Sequence, residues 1–389
     1  MATPIISSLL DTDLYKLTMM QCVFHQLPTI EAKYEFYCRK PIDLTRIKEM
    51  VQNEINALCG LSFQSDELKY LQSLPYISAD FLDFLATFRL NPKYVTVDAD
   101  NQLRIDIKGP WLETILFEVP LLAIVSEYYY RSQYPGHSLQ PGREKLNQKI
   151  ELINQQAQPN EFFFSDFGSR RRFSKAWQSE VLKTLKKALP NHLIGTSNVF
   201  FAKSLNLTPI GTMAHEYLQA FQSITDDIRQ SQSEALYTWL KEYNGQLSIA
   251  LTDVLGINQF LKEFNLELSQ KFSGVRHDSG DPFKWTDKML AHYANLNIDA
   301  RDKTLVFSDS LTMEKALTIS NYAKNKAKIT FGIGTHLMND VGLLPLDIVI
   351  KMTAANDIAV IKYPDSKGKV ISIDQNRLDE LRATLHLKE

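Results

Sequence analysis

From about residue 161 the chain repeats one unit: a short apolar run, a polar motif, then an amphipathic stretch. The motifs are SDFGSRRR (165–172), GTSN (195–198), GTMAH (211–215), LTD (251–253), RHDSGD (276–281), FSDS (307–310) and GIGT (332–335). Short apolar runs bounded by turn residues read as buried strands, and strands alternating with helices imply a parallel sheet. Strand candidates begin near 162, 193, 209, 248, 272, 304, 329 and 347. Eight of them suggest an irregular, TIM-like β/α barrel more readily than an open doubly wound sheet. Loops after parallel strands converge on one face. Motifs this rich in Asp, Arg, Gly, Ser and Thr therefore predict one crowded polar site, suited to an anionic ligand with many hydrogen bonds.

The first third reads differently. Three- and four-residue spacing of Leu17, Met20, Val23, Phe24 and Leu27 predicts a helix over 13–27, capped by Asp11 or Thr12. Strands are expected at 33–38, 94–98, 102–107 and 113–119, and helices at 43–58 and 79–90. The clearest later helix is 171–189. The tail adds short strands at 357–362 and 369–373 around a turn at 364–368. The fold class expected is α/β, with a barrel over 131–352 and a discontinuous α+β domain from 1–130 plus 353–389.

A net charge of −2 gives no reason to expect nucleic acid or an acidic membrane as the partner. Cys22, Cys38 and Cys59 lack CxxC spacing, which argues against a zinc site or a disulfide framework and fits a reducing cytoplasm. No signal-peptide pattern opens the chain, and its apolar stretches are too short to span a bilayer.

There is no Walker-type loop, and Leu337 stands where the dinucleotide pattern needs its third glycine. Gln219 stands where a zinc protease would repeat its histidine after His215-Glu216. Gly332 and Gly334 would let backbone N–H groups approach a phosphate, with Thr335 adding a hydroxyl; an ordinary tight turn is the alternative. In RHDSGD, Arg276 can grip a carboxylate or phosphate, and Asp278 and Asp281 are oxygen donors suited to Mg²⁺; a polar turn with a capping Asp is the alternative. Phe167 could stack on a flat ring beside the anion-binding Arg170, while some of Arg170, Arg171 and Arg172 belong to a solvated helix start. His215 follows a strand candidate and could serve as base, nucleophile or metal ligand. Asp13 and Tyr15, in DTDLYKLTM, read on chemistry alone as a cap and a helix-surface ring.

Taken in order, DTDLYKLTM, SDFGSRRR, GTSN, GTMAHE, RHDSGD, FSDS and GIGT resemble the nicotinate phosphoribosyltransferase family, from about residue 11 to about 373. The resemblance implies an irregular α/β barrel with a domain built from both chain ends. It implies transfer of phosphoribosyl from phosphoribosyl pyrophosphate to nicotinate, giving nicotinate mononucleotide and pyrophosphate, with Mg²⁺ and ATP hydrolysis, in NAD biosynthesis. It assigns His215 as the histidine that ATP phosphorylates, and Arg276 and Thr212 as nicotinate contacts. Phe167 and Tyr15 become the two walls of a ring sandwich, the tyrosine reaching from a neighbouring subunit of a homodimer. Arg170 and Thr335 become phosphate contacts, Asp278 a ribose and metal residue, and Asp309 and Gly334 parts of the phosphoribosyl loops. Asp13 joins the substrate site. Ser197 stands where the nicotinamide enzyme carries an acid, which would repel nicotinate. The rival readings are a nicotinamide or quinolinate phosphoribosyltransferase, a silent pyridine-nucleotide binder, and a lyase with Lys351 as its Schiff-base lysine.

Overall fold

The computed structural model describes residues 4–158, 161–366, 370 and 374–387. Two sheets organise the molecule. One is antiparallel and five-stranded, from β1 (Glu31–Cys38), β2 (Val95–Asp98), β3 (Arg104–Pro110), β10 (Ile348–Ala355) and β11 (Ile358–Ala359), in the order β11-β10-β1-β3-β2. The other is parallel and six-stranded, from β4 (Phe164–Asp166), β5 (Leu193–Thr196), β6 (Ile249–Leu251), β7 (Gly274–His277), β8 (Thr304–Phe307) and β9 (Lys328–Ile333), in the order β5-β4-β9-β8-β7-β6. The fold is thus mixed α/β, with N- and C-terminal strands sharing the first sheet.

The eight-stranded closed barrel is not what forms. The edges β5 and β6 do not pair with each other. The strand expected near 209 is reduced to one bridge, Thr196 to Pro209. The segment nevertheless stands between the two edges: Ile210 N donates to Thr196 O (2.9 Å), and Thr212 Oγ1 donates to Ile249 O (2.9 Å). Proline at 209 lacks the N–H that a ladder needs. The strand expected near 347 becomes β10, which pairs antiparallel with β1, Lys351 opposite Glu35 and Ile350 opposite Phe36. Ile348 and Ile350 are buried, whereas Val349 and Lys351 are half-buried. That alternation suits a strand with one covered face.

Residues 113–119 form no strand either. They fall in a turn of helix Trp111–Thr114, a 3-10 turn Ile115–Phe117 and the start of helix Glu118–Gln133. The run is buried on every side from Ile115 to Glu127, so its uniform apolarity carries no strand period. The expected helix 171–189 begins later, at Lys175, because Ser174 Oγ caps it by accepting from Trp177 N. The expected tail strand 369–373, except residue 370, and the end of the 364–368 turn lie outside the described residues. Among the described residues no helix is long and apolar enough to cross a membrane.

Candidate active site

Every parallel strand ends in one of the polar motifs. Phe167 follows β4, Ser197 follows β5, Asp253 lies just past β6, Asp278 follows β7, Asp309 follows β8 and Gly334 follows β9. In sheets of this kind the ligand crevice lies beyond the carboxyl ends of the strands. A cavity of about 710 Å³ opens there. It brings together Asp13, Tyr15, Phe167, Arg170 and Ser197 at one part of its wall, and His215, Arg276, Asp278, Asp309, Gly334 and Thr335 at others. The antiparallel sheet closes it with Lys351 of β10 and with Lys362, beyond β11.

His215 opens the helix His215–Ala220. Its Nε2 lies 3.0 Å from Asp253 Oδ1, 3.4 Å from Asp278 Oδ2 and 2.7 Å from Lys362 Nζ. One ring nitrogen cannot both accept from the ammonium and donate to the carboxylate. Burial, then Lys362, lowers the imidazole below its ordinary range, against the pull of Asp253 and Asp278. That favours the neutral ring, the form a nucleophile requires. Burial would raise the Asp253 carboxyl, but the Lys362 ammonium (2.8 Å) holds it well below the usual range. Asp278 is also lowered: the Arg276 guanidinium outweighs its burial, and Ser308 Oγ donates to its Oδ1 at 2.6 Å. His215, Asp253 and Asp278 present donor atoms within 4.8 Å of one another.

Arg276, on β7, makes one long bond to Met213 O (3.4 Å), and its buried Nε has no partner. A guanidinium so incompletely paired at a cavity wall has donors to offer an anion. Phe167 is set by the GIGT turn: its N–H donates to Ile333 O (3.0 Å). A Cβ on Gly332 would lie 2.2 Å from the Phe167 ring, and one on Gly334 would lie 2.9 Å from its carbonyl oxygen. Both glycines thus make room for Phe167, a role that the phosphate reading did not include.

The three arginines separate. Arg172 is fully buried, its Nη1 and Nη2 donating to Asp11 at 2.7 and 2.9 Å, so it belongs to the scaffold. Arg171 reaches Asp347 (3.1 Å) and Arg170 reaches Glu118 (3.3 Å), both at the cavity wall. The Arg170 guanidinium stands 6.0 Å from the Tyr15 ring centroid. Glu118 and Glu216 share the fully buried Lys16, which sequence reasoning passed over.

Other candidates stand elsewhere. Thr212 spends its hydroxyl on Ile249 O and does not line the cavity. Asp281 caps the helix Pro282–Asn295, accepting from Phe283 N and Lys284 N at 2.9 and 3.2 Å, and is likewise not at the wall. Asp13 does not cap its helix with its side chain, and neither Asp11 nor Thr12 is the N-cap. Tyr15 and Phe167 line one cavity within a single chain, because Leu14 N donates to Ser197 O (2.7 Å) and Asp13 bridges to Asn198. The resemblance assigns the tyrosine to a neighbouring subunit, and in the chain itself Tyr15 stands at the wall of the same cavity as Phe167. Asp253 and Lys362, like Lys16, carry no role in the sequence reading. LTD is a motif to which the sequence assigns no role, and Lys362 lies far along the chain with no motif around it.

An α/β sheet whose strand ends gather cations, carboxylates, an aromatic wall and a histidine defines an enzyme for anionic substrates. The particular family follows from comparison. The sequence model of the nicotinate phosphoribosyltransferase (NAPRTase) family matches residues 162–389, and that of its N-terminal domain matches 10–126. The chain belongs to that family. Nicotinate phosphoribosyltransferases of Xylella fastidiosa and Cupriavidus necator are 47% and 48% identical to it, each over 97% of both chains. The crystal structure of the Vibrio cholerae nicotinate phosphoribosyltransferase superposes with a TM-score of 0.95 at 38% identity, covering 100% of this chain and 95% of that one. That of Porphyromonas gingivalis gives 0.93 at 34% identity, covering 98% and 100%.

Proposed function

We propose that the cavity joins nicotinate to phosphoribosyl pyrophosphate, coupled to ATP hydrolysis through a phosphohistidine at His215. The observation that carries the coupling is His215, set between Asp253, Asp278 and Lys362 on the wall that also presents Arg276. Arg276 takes the nicotinate carboxylate, and Phe167 and Tyr15 hold the ring. The pyridine nitrogen attacks C1 of the ribose, the C1–oxygen bond breaks, and pyrophosphate leaves with that electron pair. Orientation of two bound reactants supplies much of the rate. Arg170, Arg171, Lys351 and Lys362 line the same cavity and supply positive charge for phosphates. In the coupled step, His215 displaces ADP from the γ-phosphoryl group of ATP, and water later cleaves the nitrogen–phosphorus bond.

Asp278 and Asp253 fit Mg²⁺: both are carboxylates kept ionised, with oxygens gathered near His215. Asp281 does not fit, since its carboxylate caps a helix. Bound there, Mg²⁺ would neutralise charge on the departing pyrophosphate. The product would feed NAD synthesis.

The test offers nicotinate and nicotinamide separately, with Mg²⁺ and phosphoribosyl pyrophosphate, each with and without ATP. Nicotinate mononucleotide should form, faster with ATP. His215→Ala should keep slow transfer and lose the ATP stimulation. Equal stimulation in variant and parent removes the phosphohistidine from the reading.

A further inference from the structure

Serine at 197 does not leave the pocket free of carboxylate. Asp13 lines the cavity two residues before Tyr15, and it is itself buried. Two hydroxyls converge on one of its oxygens: Ser169 Oγ donates to Oδ1 at 2.6 Å and Ser197 Oγ at 2.7 Å. Ser169 is fully buried and lies behind the cavity wall. Asn198 Nδ2 donates to Ser169 Oγ (3.3 Å) and to Asp11 Oδ1 (2.8 Å), which fixes the direction of the serine's proton. Each serine has one proton, and both are spent on Asp13. Ser197 therefore offers the ligand no donor, and it cannot recognise a carboxylate by hydrogen bonding.

We infer that Ser169 and Ser197 are positioning residues for acid specificity, which screen and hold the Asp13 carboxylate so that an anionic pyridine acid is tolerated beside it. Hydroxyl dipoles aimed at Oδ1 draw the negative charge to the side of the carboxylate that they occupy. Without one of them, Asp13 turns its charge more fully on the cavity, where like charges repel strongly at low effective dielectric. A neutral pyridine amide feels far less of this. The inference rests on the reading that the pyridine ring binds between Tyr15 and Phe167.

The test compares the KM of nicotinate with the inhibition constant of nicotinamide as the neutral probe. Ser169→Ala should raise the nicotinate KM about tenfold, the size of one lost hydrogen bond to a charged group, and change the nicotinamide constant by less than about twofold. Ser197→Ala should act in the same direction. Adding Asp13→Asn to Ser169→Ala should restore the ratio of the two constants, because no charge is left to screen. If Ser169→Ala weakens both ligands equally, or if Asp13→Asn restores nothing, the inference fails and the serines are merely structural. Arg276→Ala serves as the control for the underlying reading. An unchanged nicotinate KM there shows that the pocket assignment is wrong, whereas a raised KM with an unmoved Ser169→Ala ratio defeats only the role given to the serines.

Discussion

Three adjacent arginines illustrate how far residue type falls short of residue role. Arg172 is sealed against Asp11, and cutting one partner of a buried pair leaves the other charged and dry. Arg172→Met should cost about 3–5 kcal/mol, read as a fall in the denaturant midpoint, whereas Arg170→Met, with its guanidinium at the cavity wall, should leave the midpoint nearly unchanged. Lys351 shows the same dependence on surroundings. Burial, then Arg39 and Lys362, brings its ammonium down to about 8. A lowered lysine is charged below that value and neutral above it, so the cavity loses a cation as pH rises from about 7 to 9. The KM for phosphoribosyl pyrophosphate should climb across that window. In Lys351→Arg, where the charge persists, the climb should disappear; an identical profile in both proteins would exclude Lys351 from the phosphate site.

At the scale of elements, the parallel strands were legible because each is a short apolar run stopped by a polar motif. The antiparallel strand β10 was legible as a strand and not as a partner of β1, since alternation fixes which face is covered but not which neighbour covers it. Residues 113–119 misled for the opposite reason: buried all round, they show no period by which helix and strand differ. The GIGT turn was read as a phosphate cradle, and the structure adds a second demand on it. Gly332 leaves the space in which the Phe167 ring sits, only 2.2 Å from where a Cβ would stand. Gly332→Ala should therefore push the ring from its seat, at about 1–3 kcal/mol of overpacking. A nicotinate KM raised about tenfold with β9 still folded is the expected result, and a crystal structure of the variant would show the ring displaced.

Across the whole molecule, Tyr15 and Phe167 of one chain line the same cavity. If the ring sits between Tyr15 and Phe167 of one chain, mixing Tyr15→Ala with Phe167→Ala protein restores no activity. Sites shared across a two-fold dimer would instead regenerate about a quarter of the parent activity in the mixture. Sequence by itself determined the α/β class, the order of the motifs and most of the polar residues at the cavity, because strand-end loops of a parallel sheet must converge on one face. Tertiary structure alone decided that the parallel sheet stays open at Pro209, that Lys362 reaches His215, that Asp281 caps a helix and that Ser197 faces Asp13. Those outcomes depend on pairings between residues distant along the chain. Burial and partner fix a polar side chain's role there, and neither is encoded in local spacing.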